Sequence, residues 1–276
     1  MSRSLRGALT ALTAVLACAV APGAASATHD ASAPIHPGVM TFTDGAQCTA
    51  NFVYRDGSGT YIGQAAHCSG TGAATDTNGC EAESLPLGTP VEVGGASQPG
   101  TLAYNSWITM QEVEETNENA CAYNDFAMVR IADADVGRVD PSVPGFGGPT
   151  GLGGSGAHLG DTVYSYGNSS LRLGITKLSP KQGTVIQSEG NGWSRTVLTA
   201  TPGVPGDSGS GFMSESGEAI GTLSTLQVLP LTGTNGVADL SHELSYMREN
   251  SPFSSVVLVP GTRSFSPDWV GAILNS

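Results

Sequence analysis

Asp140-Pro141-Ser142-Val143-Pro144-Gly145-Phe146-Gly147-Gly148-Pro149-Thr150-Gly151-Leu152-Gly153-Gly154-Ser155-Gly156 carries no hydrophobic period. Seven of these 17 residues are Gly and three are Pro, a composition that breaks both helix and strand. It reads as a connection between two modules of similar size, 35–140 and 157–276, with 141–156 as the linker. Gly151-x-Gly153-x-x-Gly156 matches a dinucleotide fingerprint in spelling only, because no strand leads in and no helix leads out. Upstream, strand-like runs recur: Val39–Thr43, Thr49–Tyr54, Thr60–Gln64, Thr89–Val93, Thr101–Trp107 and Phe126–Ile131. Downstream come Thr162–Tyr166, Gly183–Gln187, Arg195–Ala200, Gly211–Met213, Ala219–Thr225 and Val256–Val259. Short strands at this spacing predict an all-β sandwich or barrels. Asp239–Asn250 is the one convincing helix, with Leu240, Leu244 and Met247 at helical spacing.

The composition bounds the function. Of 276 residues, 39% are hydrophobic, enough for real cores. Eleven basic residues against 24 acidic give a net charge of −13. Such a chain lacks the cations needed to neutralise phosphates, which argues against nucleic acid and against an anionic membrane surface. Residues 1–27 read as a signal peptide. Arg3 and Arg6 are basic, Ala8–Val20 is apolar but too short to span a bilayer, and Ala25-Ser26-Ala27 fits a cleavage site. Residues 28–34 would be a short N-terminal segment or propeptide. Export leaves four cysteines, Cys48, Cys68, Cys80 and Cys121, whose even number predicts two disulfides in one of three pairings. No C-x₂₋₄-C spacing supports zinc, and neither a metal nor a cofactor is expected.

Three short motifs carry chemistry. In Gly206-Asp207-Ser208-Gly209, a tight turn can present a serine hydroxyl together with backbone N–H groups for an oxyanion. A serine is a weak nucleophile unaided, so a base is required. Gln64-Ala65-Ala66-His67-Cys68 offers one, and Asn124-Asp125-Phe126-Ala127-Met128-Val129 places an Asp before an apolar strand. The order is His, Asp, Ser, with separations of 58 and 83 residues.

In these motifs and this order the chain resembles the chymotrypsin-like serine proteases, especially the small secreted bacterial type, from about Ile35 to Thr262. The resemblance implies two six-stranded antiparallel β-barrels, here followed by the C-terminal helix, with the site in the cleft between them. Ser208 would be the nucleophile, His67 the general base and then acid, and Asp125 the residue that fixes the His67 tautomer. The amides of Gly206 and Ser208 would form the oxyanion hole. It also implies Cys48–Cys68 and Cys80–Cys121 bridges and a monomer acting on polypeptide substrates. Asp207 would be structural. Ile35 aligns loosely with a free N-terminus that pairs with this Asp in many relatives, and Arg172 and Arg195 are the alternative cations.

The sequence departs from the family at the specificity pocket. Pro202 stands where the trypsin branch has an Asp, so cleavage after Arg or Lys is not expected. Ser224 would open the pocket wall, Thr225 replaces a common large aromatic, and Leu226 replaces a glycine. Cleavage after neutral, small to medium residues is the expectation. Two rivals differ in class. One is a secreted protease-like binding protein without activity. The other is a GDSL-type ester hydrolase using Asp239-x-x-His242, though only 34 positions separate Ser208 from His242, too few for the α/β domain that family needs.

Overall fold

Short apolar runs between turn signals become the strands, and the computed structural model describes the chain over residues 34–73, 77–154, 156–227 and 233–276. The expected signal peptide, and all but the last residue of segment 28–34, lie outside the described residues. The first half supplies β1 (Met40–Thr43), β2 (Ala46–Thr49), β3 (Val53–Arg55), β4 (Thr60–Gln64), β5 (Pro90–Val93) and β6 (Gly100–Asn105). After them come α1 (Ser106–Glu112), α2 (Glu118–Tyr123) and β7 (Ala127–Arg130). The second half supplies β8 (Thr162–Tyr166), β9 (Pro180–Glu189), β10 (Ser194–Thr199), β11 (Gly211–Met213), β12 (Ala219–Gln227) and β13 (Thr234–Asp239). α3 (Leu240–Asn250), β14 (Val257–Leu258) and α4 (Trp269–Leu274) finish the chain.

The protein is mostly β, as expected. Strands β8–β13 close a six-stranded barrel in the order β10-β13-β12-β11-β8-β9. The first module is an eight-stranded sheet, β14-β3-β4-β7-β6-β5-β1-β2. Seven of its strands are its own, and the eighth returns from the C-terminal end through the Val257–Arg55 register. β4 is buried along its whole length, between β3 and β7.

Three of the hydrophobic clusters among the described residues organise the two modules. Ile62, Val91, Val93, Leu102 and Val129 fill the first module. Val163, Val185, Val197, Phe212, Leu223 and Val237 fill the second. A larger cluster joins them: Phe52, Tyr54, Tyr104 and Phe126 meet Tyr164, Met213, Leu240, Leu244 and Met247. The Gly/Pro segment runs between the modules with Val143 and Phe146 buried in that joint. Its Leu152 bridges Ala219 at the start of β12.

Some elements differ from the reading of the sequence. The strand expected over Thr101–Trp107 stops at Asn105, whose side chain accepts a 2.8 Å hydrogen bond from Trp107 N and starts α1. The acidic stretch Gln111–Asn119 bridges the end of α1 to α2, where Asn117 caps. The helix expected over Asp239–Asn250 is present as α3, capped by Asp239.

Candidate active site

The cleft between the modules, about 550 Å³, is lined among others by Gln47, His67, Trp107, Asp125, Gly206 and Ser208. His67 lies in a 3₁₀ turn, Ala66–Ser69, directly after β4. Cys68 at its side is bonded to Cys48 on β2, which ties the turn to the sheet. The second bridge joins Cys80 to Cys121 on α2.

Asp125 precedes β7 and is buried. Each of its polar groups has a partner. Oδ1 accepts from His67 N at 2.9 Å, and Oδ2 lies 2.7 Å from His67 Nδ1. Ser224 Oγ on β12 donates to Oδ2 at 2.6 Å. The backbone carbonyl accepts from Ala66 N at 3.1 Å, and the backbone amide donates to Glu243 Oε1 on α3 at 3.2 Å. Burial disfavours the His67 imidazolium, but the Asp125 charge and hydrogen bond outweigh it, so the His67 pKa lies above its usual 6.5.

Ser208 sits in the turn before β11. Gly206 and Gly209 take φ of +96° and +87°, conformations that L side chains rarely adopt. A Cβ on Gly209 would also come within 2.6 Å of Thr49 O. The turn is docked on β2: Thr49 N donates to Ser208 O at 2.8 Å, and Thr49 Oγ1 donates to Gly206 O at 2.7 Å. Among the described residues, the amides of Gly206 and Ser208 donate to no protein acceptor. No hydrogen bond joins the Ser208 hydroxyl to the His67 ring among the described residues, although both line the cleft.

Asp207 is fully buried. Arg172 reaches its Oδ2 at 2.5 Å and Lys181, on β9, at 3.1 Å. Of the two cations named from sequence, Arg172 is the partner. Arg195 instead faces Asp239, at 3.5 Å. Ile35 N donates to Arg138 O inside the first module, so Ile35 does not serve Asp207. Lys181 was not foreseen. It is fully buried, and it also donates to the carbonyls of Thr201 at 3.4 Å and Pro202 at 3.2 Å. Burial lowers its pKa to about 8, against the pull of Asp207.

Thr225 and Leu226 follow Ser224 on β12 and line the cleft. Leu226 is paired with the buried Asn235 of β13. A Cβ on Gly203, next to Pro202, would meet Asn235 Oδ1 at 2.3 Å and Leu226 Cδ2 at 2.6 Å. The space beside Gly203 is therefore filled by Asn235 and Leu226. His242 hydrogen-bonds Asp239 at 2.9 Å and packs on Trp193, and it does not line the cleft with Ser208.

Gln47 is a second residue that sequence reasoning missed. Its Nε2 donates to Gly206 O at 3.0 Å, and its Oε1 accepts from Ser170 N at 3.0 Å. No pattern around a lone Gln, in a short stretch not read as a strand from sequence, would have singled it out.

No family model matches the chain, and no curated protein does. Solved structures do. The chain is similar to protease A of Thermobifida fusca at 21% identity and a TM-score of 0.53, over 82% of this chain and 99% of that one. It is also similar to a chymotrypsin from Cellulomonas bogoriensis, at 17% identity and a TM-score of 0.49, over 82% and 98%. A glutamic-acid-specific serine protease aligns at 19% and 0.49, over 82% and 100%. The fold of this protein is that of the chymotrypsin-like serine proteases.

Proposed function

We propose that this protein is a secreted serine endopeptidase working through Ser208, His67 and Asp125. The observation that carries the reading is the Asp125–His67 pair facing the same cleft as a serine on a glycine-shaped turn. Asp125 holds the Nδ1–H tautomer, which leaves Nε2 to take the Ser208 proton as the hydroxyl attacks a peptide carbonyl. The free amides of Gly206 and Ser208 suit the oxyanion of the tetrahedral intermediate. His67 then gives its proton to the leaving amine, and water releases the acyl group by the same steps in reverse. Domain limits of 35–140 and 157–276 place His67 and Asp125 in one module and Ser208 in the other. Two disulfides and the residues 1–27 pattern favour an extracellular location.

The specificity reading rests on Pro202, Ser224, Thr225 and Leu226. Leu226 and Asn235 shorten the pocket, which favours small to medium neutral residues before the cleaved bond. Arg172 and Lys181 both contact the Pro202 carbonyl from behind. With Asp207 they sum to one net positive charge, which disfavours Arg and Lys there.

A fluorophosphonate probe tests the reading. It labels Ser208 in the wild type and fails in Ser208→Ala and His67→Ala, and peptide turnover falls on the order of 10⁶-fold in each. Labelling that survives His67→Ala but is lost in His242→Ala would favour the esterase reading. A wild-type protein that never labels would favour a binding protein.

A further inference from the structure

α3 presents Leu240, Leu244 and Met247 to the joint between the modules, and Glu243 lies on the same buried stripe. Its carboxyl is wholly buried and bonded at both oxygens. Oε1 accepts from the backbone amide of Asp125 at 3.2 Å, and Oε2 meets Thr222 Oγ1 on β12 at 2.9 Å. Two positions further along β12, Ser224 reaches the Asp125 carboxylate itself. The chain around Asp125 is thus gripped from the second module at two points, its main chain by Glu243 and its side chain by Ser224.

We propose that Glu243 is a positioning residue for Asp125: by holding the Asp125 amide against the Thr222 hydroxyl, it sets the angle at which the Asp125 carboxylate meets the His67 ring. The inference rests on the triad reading above. An ordinary apolar residue would fill this place in the stripe, and an acid here is costly unless its bonds are used. The groups facing Glu243 fit an uncharged acid. Asp125 lies before β7 and Asp239 at the start of α3; Tyr54 of β3 and Tyr104 of β6 also lie within its electrostatic reach. Burial first, and then the Asp125 charge, push the Glu243 carboxyl well above the usual range. A neutral acid steers Asp125 by hydrogen bonding without competing for the His67 proton.

Three variants test this, read as kcat and KM against pH. Glu243→Leu keeps the buried volume and removes both bonds. It lowers kcat by about 10- to 100-fold with KM nearly unchanged, the scale of a small misplacement in an active site. Its acid limb also moves to lower pH, because a tilted Asp125 supports the His67 imidazolium less well. Glu243→Gln keeps an acceptor for the Asp125 amide and stays within about threefold of wild type with the acid limb unmoved. Thr222→Val, which removes only the far anchor, falls between them and covers the case in which Glu243→Leu does not fold. A Glu243→Leu enzyme with wild-type kcat and acid limb overturns the proposal. So does a Glu243→Gln enzyme as slow as the Leu variant, or a Thr222→Val enzyme that is indistinguishable from wild type. Failure of the triad reading is told apart by Ser208→Ala and His67→Ala, which would then retain turnover.

Discussion

The two modules hold their parts of the site by different means. In the first, covalent bonds do much of the holding: Cys48–Cys68 stands beside His67, and Cys80–Cys121 ties α2 to the loop before β5. The second has no disulfide among the described residues. There the turn bearing Ser208 is held by a buried ion cluster, Asp207 between Arg172 and Lys181. A bridge acts mainly by restricting the unfolded chain and is indifferent to pH over a wide range. A buried ion pair is strong only while both partners keep their charges, and it becomes a liability when one is removed.

The largest break should come from the ion cluster. Asp207→Asn strands two buried cations and is expected to cost about 3–5 kcal/mol, the range for breaking a buried pair from one side. The denaturation midpoint reads it, and fluorophosphonate labelling of Ser208 should fall with it. An unchanged midpoint would mean that the second module does not depend on these charges.

Next come the bridges. Loops of 20 and 41 residues correspond to roughly 3 and 4 kcal/mol in the chain-entropy picture. Serine pairs at Cys48/Cys68 and at Cys80/Cys121 should therefore both lower stability, the second pair more. Activity should follow the opposite order under conditions where both variants are folded, because only Cys68 adjoins His67. Equal loss of turnover in the two would erase the distinction between a local and a global staple.

pH separates the modules further. Lys181 titrates at about 8 in the folded protein, below its ordinary 10.5. Between those values the unfolded chain binds more protons, so the Lys181 contribution to stability rises with pH. Its ammonium bonds to Asp207, Thr201 and Pro202 disappear over the same window. Turnover is expected to fall above about pH 8 without a matching fall in Tm, and Lys181→Met should remove that alkaline limb. The acid limb belongs to the first module. It should lie above pH 6.5, because Asp125 raises the His67 pKa. On the stability side, the His67 contribution is present below its unfolded pKa and fades as pH rises through the folded one. A rate that stays flat from pH 7 down to pH 5 would contradict the His67 assignment.

The smallest expected effect concerns the pocket. Leu226→Gly should shift the preference before the cleaved bond towards larger apolar residues by ~1–3 kcal/mol in relative kcat/KM. Matched chromogenic peptides that differ at that one residue measure it.

What could be read from sequence followed local signals. His67, Asp125 and Ser208 each sit beside a strand or in a Gly-flanked turn, and the strands themselves are short runs set off by turn residues. Glu243 left a trace that went unread: it occupies the i+3 place of the stripe Leu240, Leu244, Met247, where an apolar residue belongs. Lys181 left none. Between Pro180 and Gln182 a lysine looks solvent-facing, and only barrel closure, with β9 between β8 and β10, turns it inward. The eighth strand of the first sheet was hidden for a similar reason. Val256–Val259 reads as a strand, but nothing local says that its partner is Arg55, some 200 residues earlier.

The supports of Asp125 also have an order in time. Translation delivers His67 and Asp125 early and Ser224 and Glu243 late, and the strand β14 that edges the first sheet comes later still. While a chain is still being made, its imidazole and carboxylate exist without the hydroxyl and the helix that orient them. On the proposed reading, the pair that would activate Ser208 is fully oriented only after β12 and α3 have been made.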